Sequence, residues 1–484
     1  MAPEQSTVEV LIGGAYRKLV TRKQDSKVNL ENIRNLPSEL GETNDEEDAW
    51  RALFNFGGLG SPSTESRDLP QVVQLVPMLA NYGGVLGRVR NRWSPGNLLV
   101  NAIQSGSNQQ SCSDEILENF ARSLLVDKDD DFLAKFLENS LYKLSGDEYP
   151  EIAKAYEPVF PAYREQVSRS RSPAERLVLD LPHVIRLKAH LTRRQWTLLL
   201  EALLRIGLFA HYAWLLSLNA QTWEVCREII NGASRPTLDK IRADFWERHA
   251  KDYPILELGQ DSGPAIKKSI RKYAQARLGL SLVLRVLQEV GCEANPLQHR
   301  GGVETPVVLE EFFSLVAEKR DAIKTAFEPN EHLGSFEAAL GAVLDRTSGF
   351  QSATTGPTRN LLFFLRYTAG RISPRVVEQV SYDQSYLLEK ADRSRRNSPW
   401  LVDFGPVLIV TLVHCCCRQE RTRSVSVNRF ERYLADWGIR ASQRELTTGK
   451  FAKLVEQLGI MVDSPDAGGG RLLMDPLMQS SKDE

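Results

Sequence analysis

From about residue 400 to Glu484, three helical patterns and a glycine-rich hairpin follow one another, and few folds accept that order. GPVLIVTLVHCCC (405–417) is apolar nearly all round, which marks a helix buried on every side. SVSVNRFERYLADWGI places Phe430, Tyr433, Leu434 and Trp437 on one helical face and Arg429 and Arg432 on another, with Gly438 suited to the helix end. SQRELTTGKFAKLVEQLGI opens on a capping box, Ser442 with Glu445 three residues later. Gly449 within it costs about 1 kcal/mol relative to alanine, so this helix should either break there or lie close to a partner backbone. MVDSPDAGGGRLLM then supplies two short strands, Ile460 to Val462 and Arg471 to Met474, around three glycines. Together these elements predict a winged helix, a module whose third helix typically enters the major groove of DNA.

On that expectation Phe451, Leu454, Val455 and Leu458 face inward, leaving Gln443, Arg444, Thr447, Thr448, Lys450 and Lys453 outward. Arg444, Lys450 and Lys453 are predicted toward the groove, with Thr448 a further DNA-binding residue and Arg471 another on the second strand of the wing. Arg395 and Arg396 in the run RSRR, and Arg421 and Arg423 in RQERTR, are predicted nearer the phosphates, because guanidinium groups stay charged and neutralise the backbone. Glu456, Asp463 and Asp466 oppose them. A module that only docks on protein therefore stands beside double-stranded DNA as an alternative, since the fold does not specify the partner.

The whole chain, 484 residues with 42% apolar and 25% charged, can bury large cores. Its net charge of -1 conceals acids crowded in NDEED and VDKDDD and arginines crowded in the two basic runs. The fold class expected is mainly α, with an N-terminal β-hairpin and linker over 1–65, a helical body over 66–355, a helical connector over 356–399 and the winged helix over 400–484. TVEVLIGGAYRKLVT alternates around Gly13 and Gly14 as a two-residue hairpin does. In the body, SDEILENFARSLL, DDFLAKFLENSLYKL, RRQWTLLLEALLRIGLFAHYAWLL and VLEEFFSLVAEKRDAIKTAF carry apolar residues three and four apart, without the fixed period of a repeat array. GFQSATTGPTRN (349–360) is the expected boundary.

LLLEALLRIGLFAHYAWLLSL is long enough to resemble a membrane span, but Glu201, Arg205 and His211 interrupt it, which predicts a buried protein helix and no membrane partner. With no charged-then-apolar leader and six cysteines spread along the chain, a reducing cytoplasm is the expected compartment.

Patterns of catalysis and metal binding fail on spacing. His414 with Cys415, Cys416 and Cys417 resembles a ligand set, yet consecutive helical residues point about 100° apart and no second pair lies nearby. Asp127, Asp129, Asp131 and Glu138 follow a calcium-loop pattern, but Phe132 stands where the glycine is required. Gly83, Gly84 and Gly87 lack a preceding strand, and no phosphate loop, H-E-x-x-H or G-x-S-x-G occurs. His183 and His190 are expected on one helix as surface residues, and Trp196, Trp214 and Trp223 in the core. The chain is thus expected to be no enzyme, with no cofactor and no metal.

Through GPVLIVTLVHCC, the downstream DWGI and the closing KLVEQLGIMVDSPDAGGGRLL, the C-terminal quarter resembles DptG-like proteins of bacterial DNA phosphorothioation-dependent restriction systems and related phage-defence operons. The resemblance implies a non-catalytic subunit that acts on invading DNA with an FtsK/HerA-like ATPase or other subunits of a defence operon. A protein-only adaptor and a transcriptional regulator with a ligand-sensing helical body remain alternatives. A regulator should dimerise and prefer a palindromic site.

Overall fold

The computed structural model describes residues 173–234, 256–289, 309–327, 385–392, 398–463 and 470–477, with scattered positions between 102 and 123, between 362 and 372, and at 395. The expected hairpin at 7–21, the calcium-like run 127–138, the glycines at 83–87 and the boundary 349–360 lie outside the described residues. What is described is mainly helical, 68%, with small sheets.

Helix α1 (Pro173–Arg186) is followed by a 3-10 turn (Leu187–Ala189) and then by α2 (Arg193–Ile230). The turn separates His190 from His183, so the expected single helix carrying both ends at Arg186. Thr192 starts α2 with a reciprocal capping box: its hydroxyl accepts from the Gln195 backbone at 3.4 Å while its own N–H donates to Gln195 Oε1 at 3.1 Å. At 38 residues α2 is about 57 Å long. Because it is apolar on nearly every side, it has to be enclosed by other elements.

Two hydrophobic cores share this helix. Its first half, including Trp196, Leu203 and Phe209, packs into a core that takes in α1 and the C-terminal elements from Val402 to Leu473. Its last turns, with Trp223, Cys226 and Ile229, join Leu280, Val283 and Leu287 of α3 (Ser262–Glu289), Phe313 and Val316 of α4 (Leu309–Glu318) and Ile323 of α5 (Arg320–Phe327) in a second core. Among the described residues α2 is the one helix long and apolar enough to cross a membrane, and 89% of its most apolar stretch is buried inside the protein.

The three polar interruptions of that stretch are enclosed as well. Arg205 Nε donates to Glu201 Oε1 at 3.0 Å, one turn away, with both side chains buried. His211 stacks near Trp214, and burial lowers its pKa to about 4, which leaves the ring neutral. Gly370, at φ +67, passes directly over Arg205: a Cβ there would stand 2.5 Å from the guanidinium.

Small strands tie the body to the C-terminal region. β1 (Leu256–Glu257) pairs in parallel with β6 (Ile439–Arg440). β2 (Arg371–Ile372) pairs in parallel with β3 (Leu388–Lys390), which pairs antiparallel with β4 (Trp400–Val402). Bridges from Leu258 to Val402 and from Asp261 to Leu401 extend this connection. The boundary expected between 399 and 400 therefore runs through a sheet, and one core continues across it.

Removing one member of the Glu201–Arg205 pair takes away an ion-pair contact made by a buried charge. Glu201→Ala should cost about 3 to 5 kcal/mol in denaturant unfolding, whereas Glu201→Leu/Arg205→Met should cost clearly less.

Candidate functional site

After β4 the chain forms α6 (Pro406–Glu420), β5 (Ser424–Ser426), α7 (Val427–Asp436), β6, α8 (Gln443–Thr447), α9 (Lys450–Gln457), β7 (Met461–Asp463) and β8 (Arg471–Met474). Pro406 starts α6, where a missing N–H costs nothing. Ser426 caps α7 by accepting from the Arg429 N–H at 3.2 Å, and the Phe430, Tyr433 and Leu434 face is buried. The last three strands make an antiparallel sheet in the order β5, β8, β7, with Val425 opposite Leu473 and Leu473 opposite Met461.

The helix expected as one piece from Ser442 is two. Ser442 accepts from the Glu445 N–H at 3.2 Å, the first half of the expected box. The Glu445 carboxylate instead occupies the space beside Gly449, where a Cβ would stand 2.2 Å from its Oε2. Gly449 thus starts α9 as an extended N-cap, and the break falls at the residue whose propensity is poorest.

The sequence-predicted site residues differ in what they meet. Lys450 Nζ donates to both Glu389 of β3 and Asp403 just after β4. Arg471 Nη1 donates to Thr447 O at 2.6 Å and Glu456 Oε1 at 2.8 Å. Arg395 lies 3.2 Å from Asp392 and is otherwise open to solvent. Arg396 lies outside the described residues. Arg421, Arg423, Arg444, Thr448 and Lys453 are exposed, the Thr448 hydroxyl donating to Arg444 O at 3.1 Å.

Arg421, Arg444 and Lys453 make no ion pair among the described residues, nor do Arg432 and Arg440, which the sequence did not single out as site residues. Arg432 was legible as the outward face of α7. Arg440 was not, because its exposure depends on the short β6 pairing with β1.

Arg421 is also the one described non-glycine residue at positive φ, 55°, where it ends α6. Glycine would take that conformation without the Cβ penalty.

Beneath this surface, polar groups fasten the region to the body. The Tyr433 hydroxyl donates to Asp180 Oδ2 at 2.6 Å, and Arg176 lies over the Tyr433 ring at 5.2 Å while pairing with Asp436 at 2.8 Å. Burial pushes Asp180 up to about 7, against the opposing pull of Arg176 and the Tyr433 hydroxyl. His414 Nδ1 meets both Asp475 oxygens at 3.0 Å, which holds the segment after β8 against α6. Burial raises Cys416 and Cys417 to about 12, so these thiols stay protonated and are poor ligands or nucleophiles. Burial, then the hydrogen bond with Glu389, raises Asp403 to about 6.

Compared with protein-family models, curated proteins and solved structures, the chain matches none.

An acid whose folded value lies above its unfolded one binds more protons when folded, so its contribution makes stability fall as pH rises from 3.8 toward about 7. Asp180→Asn removes that loss. Relative to wild type, the variant should gain stability between pH 5 and pH 8, by a few kcal/mol at most at about 1.4 kcal/mol per pH unit. Urea unfolding of both proteins at the two pH values checks this, and a constant difference would show that Asp180 is ionised throughout.

Proposed function

We propose that residues 406–477 form a winged-helix module that binds double-stranded DNA, and that the protein is a non-catalytic subunit of a prokaryotic anti-phage defence assembly. The order helix, strand, helix, short strand, two-part helix, strand, strand supports the first part, as does a sheet in which β8 lies between β5 and β7. The observation that carries the nucleic-acid reading is the set Arg421, Arg432, Arg440, Arg444 and Lys453, all exposed and without an ion-pair partner among the described residues. Cations left unneutralised on one module are what a phosphate backbone recognises. The positive φ of Arg421 adds to this, since strain held at an exposed arginine fits a functional position.

The defence role, an FtsK/HerA-like ATPase partner and a cytoplasmic setting rest on the resemblance of the C-terminal quarter to DptG-like proteins. The helical body, organised on α2, would then be the scaffold through which the module meets the other subunits.

A second reading has its own observation. Lys450, expected at the groove, and Arg471, expected on the wing, are bound to carboxylates of this same chain. That favours a module that docks on protein.

Fluorescence anisotropy with duplex DNA over a range of salt concentrations separates the two readings. Wild type should bind, more weakly as salt rises. Arg421→Ala/Arg423→Ala should flatten the salt dependence by about one unit of slope per lost phosphate contact. Arg444→Ala/Lys453→Ala should weaken binding, with a cost of about 1 to 3 kcal/mol at a single sequence position if a base contact is lost. Absence of wild-type binding at low salt would leave the protein-docking reading.

A further inference from the structure

We propose that Glu389 and Asp403 act as an internal substitute for phosphate, holding Lys450 in an autoinhibitory contact that a DNA backbone must displace to engage the start of α9. This inference rests on the nucleic-acid reading and specifies how that surface is regulated.

The geometry joins three elements that are distant in sequence. Lys450 is the first residue of α9, Glu389 lies on β3, and Asp403 follows β4 on the neighbouring strand. In the antiparallel register Glu389 faces Leu401 and the Asp403 N–H donates to Leu387 O, so alternation puts the Glu389 and Asp403 side chains on one face of the sheet. Both carboxylates are buried, 11% and 9% exposed, whereas the Lys450 side chain is 64% exposed. The acids are therefore built into the body, and the lysine reaches them from the surface.

The charges explain why this contact should inhibit. An ammonium bound by two carboxylate oxygens is satisfied much as it would be by phosphate oxygens, so a nucleic acid gains little by approaching it. Burial and Glu389 hold Asp403 above the usual carboxylate range, and with the Lys450 ammonium already matched by acids of this chain the corner offers a polyanion little attraction. Gly449 leaves α9 separate from α8, so the first turn of α9 is not fixed by a continuous helix. The exposed Lys453, one turn further along, stays outside the contact.

The test uses the full chain, random-sequence duplex DNA and anisotropy at several salt concentrations. Glu389→Gln/Asp403→Asn keeps the shape of the cluster and frees the Lys450 charge. It should bind about five- to tenfold more tightly near 0.1 M salt, with a slope steeper by about 0.9, the release of roughly one more counterion. Adding Lys450→Ala to that variant should abolish the gain.

Unchanged affinity and slope in the paired variant, with wild type binding, would overturn the latch and leave the DNA reading intact. A gain that survives Lys450→Ala would also overturn it, because the effect would then be general repulsion by two acids. If neither wild type nor the paired variant binds at low salt, the DNA reading falls and the latch with it. Should circular dichroism show the paired variant unfolded, Asp403→Asn alone replaces it, with a gain of about two- to threefold expected and no gain overturning the proposal.

Discussion

A helix that is apolar on every side has no face to turn to water, and α2 is such a helix over most of its 38 residues. Covering it requires neighbours on all sides, which α1, α3 and α6 supply, with α4 and α5 closing its far end. Since its two halves lie in different cores, the body and the C-terminal region are linked by one rigid element as well as by loops. Its charged positions are tolerated because Glu201 and Arg205 meet within one turn and His211 is held neutral. Unpaired, each would carry a desolvation cost of several kcal/mol.

The C-terminal region is fastened to this scaffold by polar contacts inside an apolar setting. Tyr433 and Asp180 join α7 to α1, and His414 and Asp475 close the end of the sheet onto α6. Such contacts specify one arrangement, because a displaced partner leaves a buried polar group unsatisfied.

Helix positions in this region were legible because they depend on nearby residues. Ser426 and Ser442 accept from N–H groups three residues on, and the period of Phe430, Tyr433 and Leu434 marks the buried face of α7. Of the strands, β7 and β8 were legible from the glycines between them, whereas β5 and β6 were not. The sequence also raised a break at Gly449 as one outcome, and the position of Glu445 is what decides it. The candidate site was less legible. Arg444, Lys453 and Arg421 could be placed outward from periodicity and local charge, whereas Arg440 could not.

By itself the sequence determined the start of the helix capped by Ser442, which faces are apolar and that α2 had to be covered, since these follow from backbone donors, side-chain period and the cost of exposing apolar surface. Only the tertiary structure decided the state of each charge. Lys450 meets acids 61 and 47 positions earlier in the chain, and Arg471 meets Glu456 across the gap between β8 and α9. Coulomb attraction between side chains acts over a few ångströms of space irrespective of sequence separation, so a local pattern can show that a lysine points outward but not which carboxylates the fold brings to it.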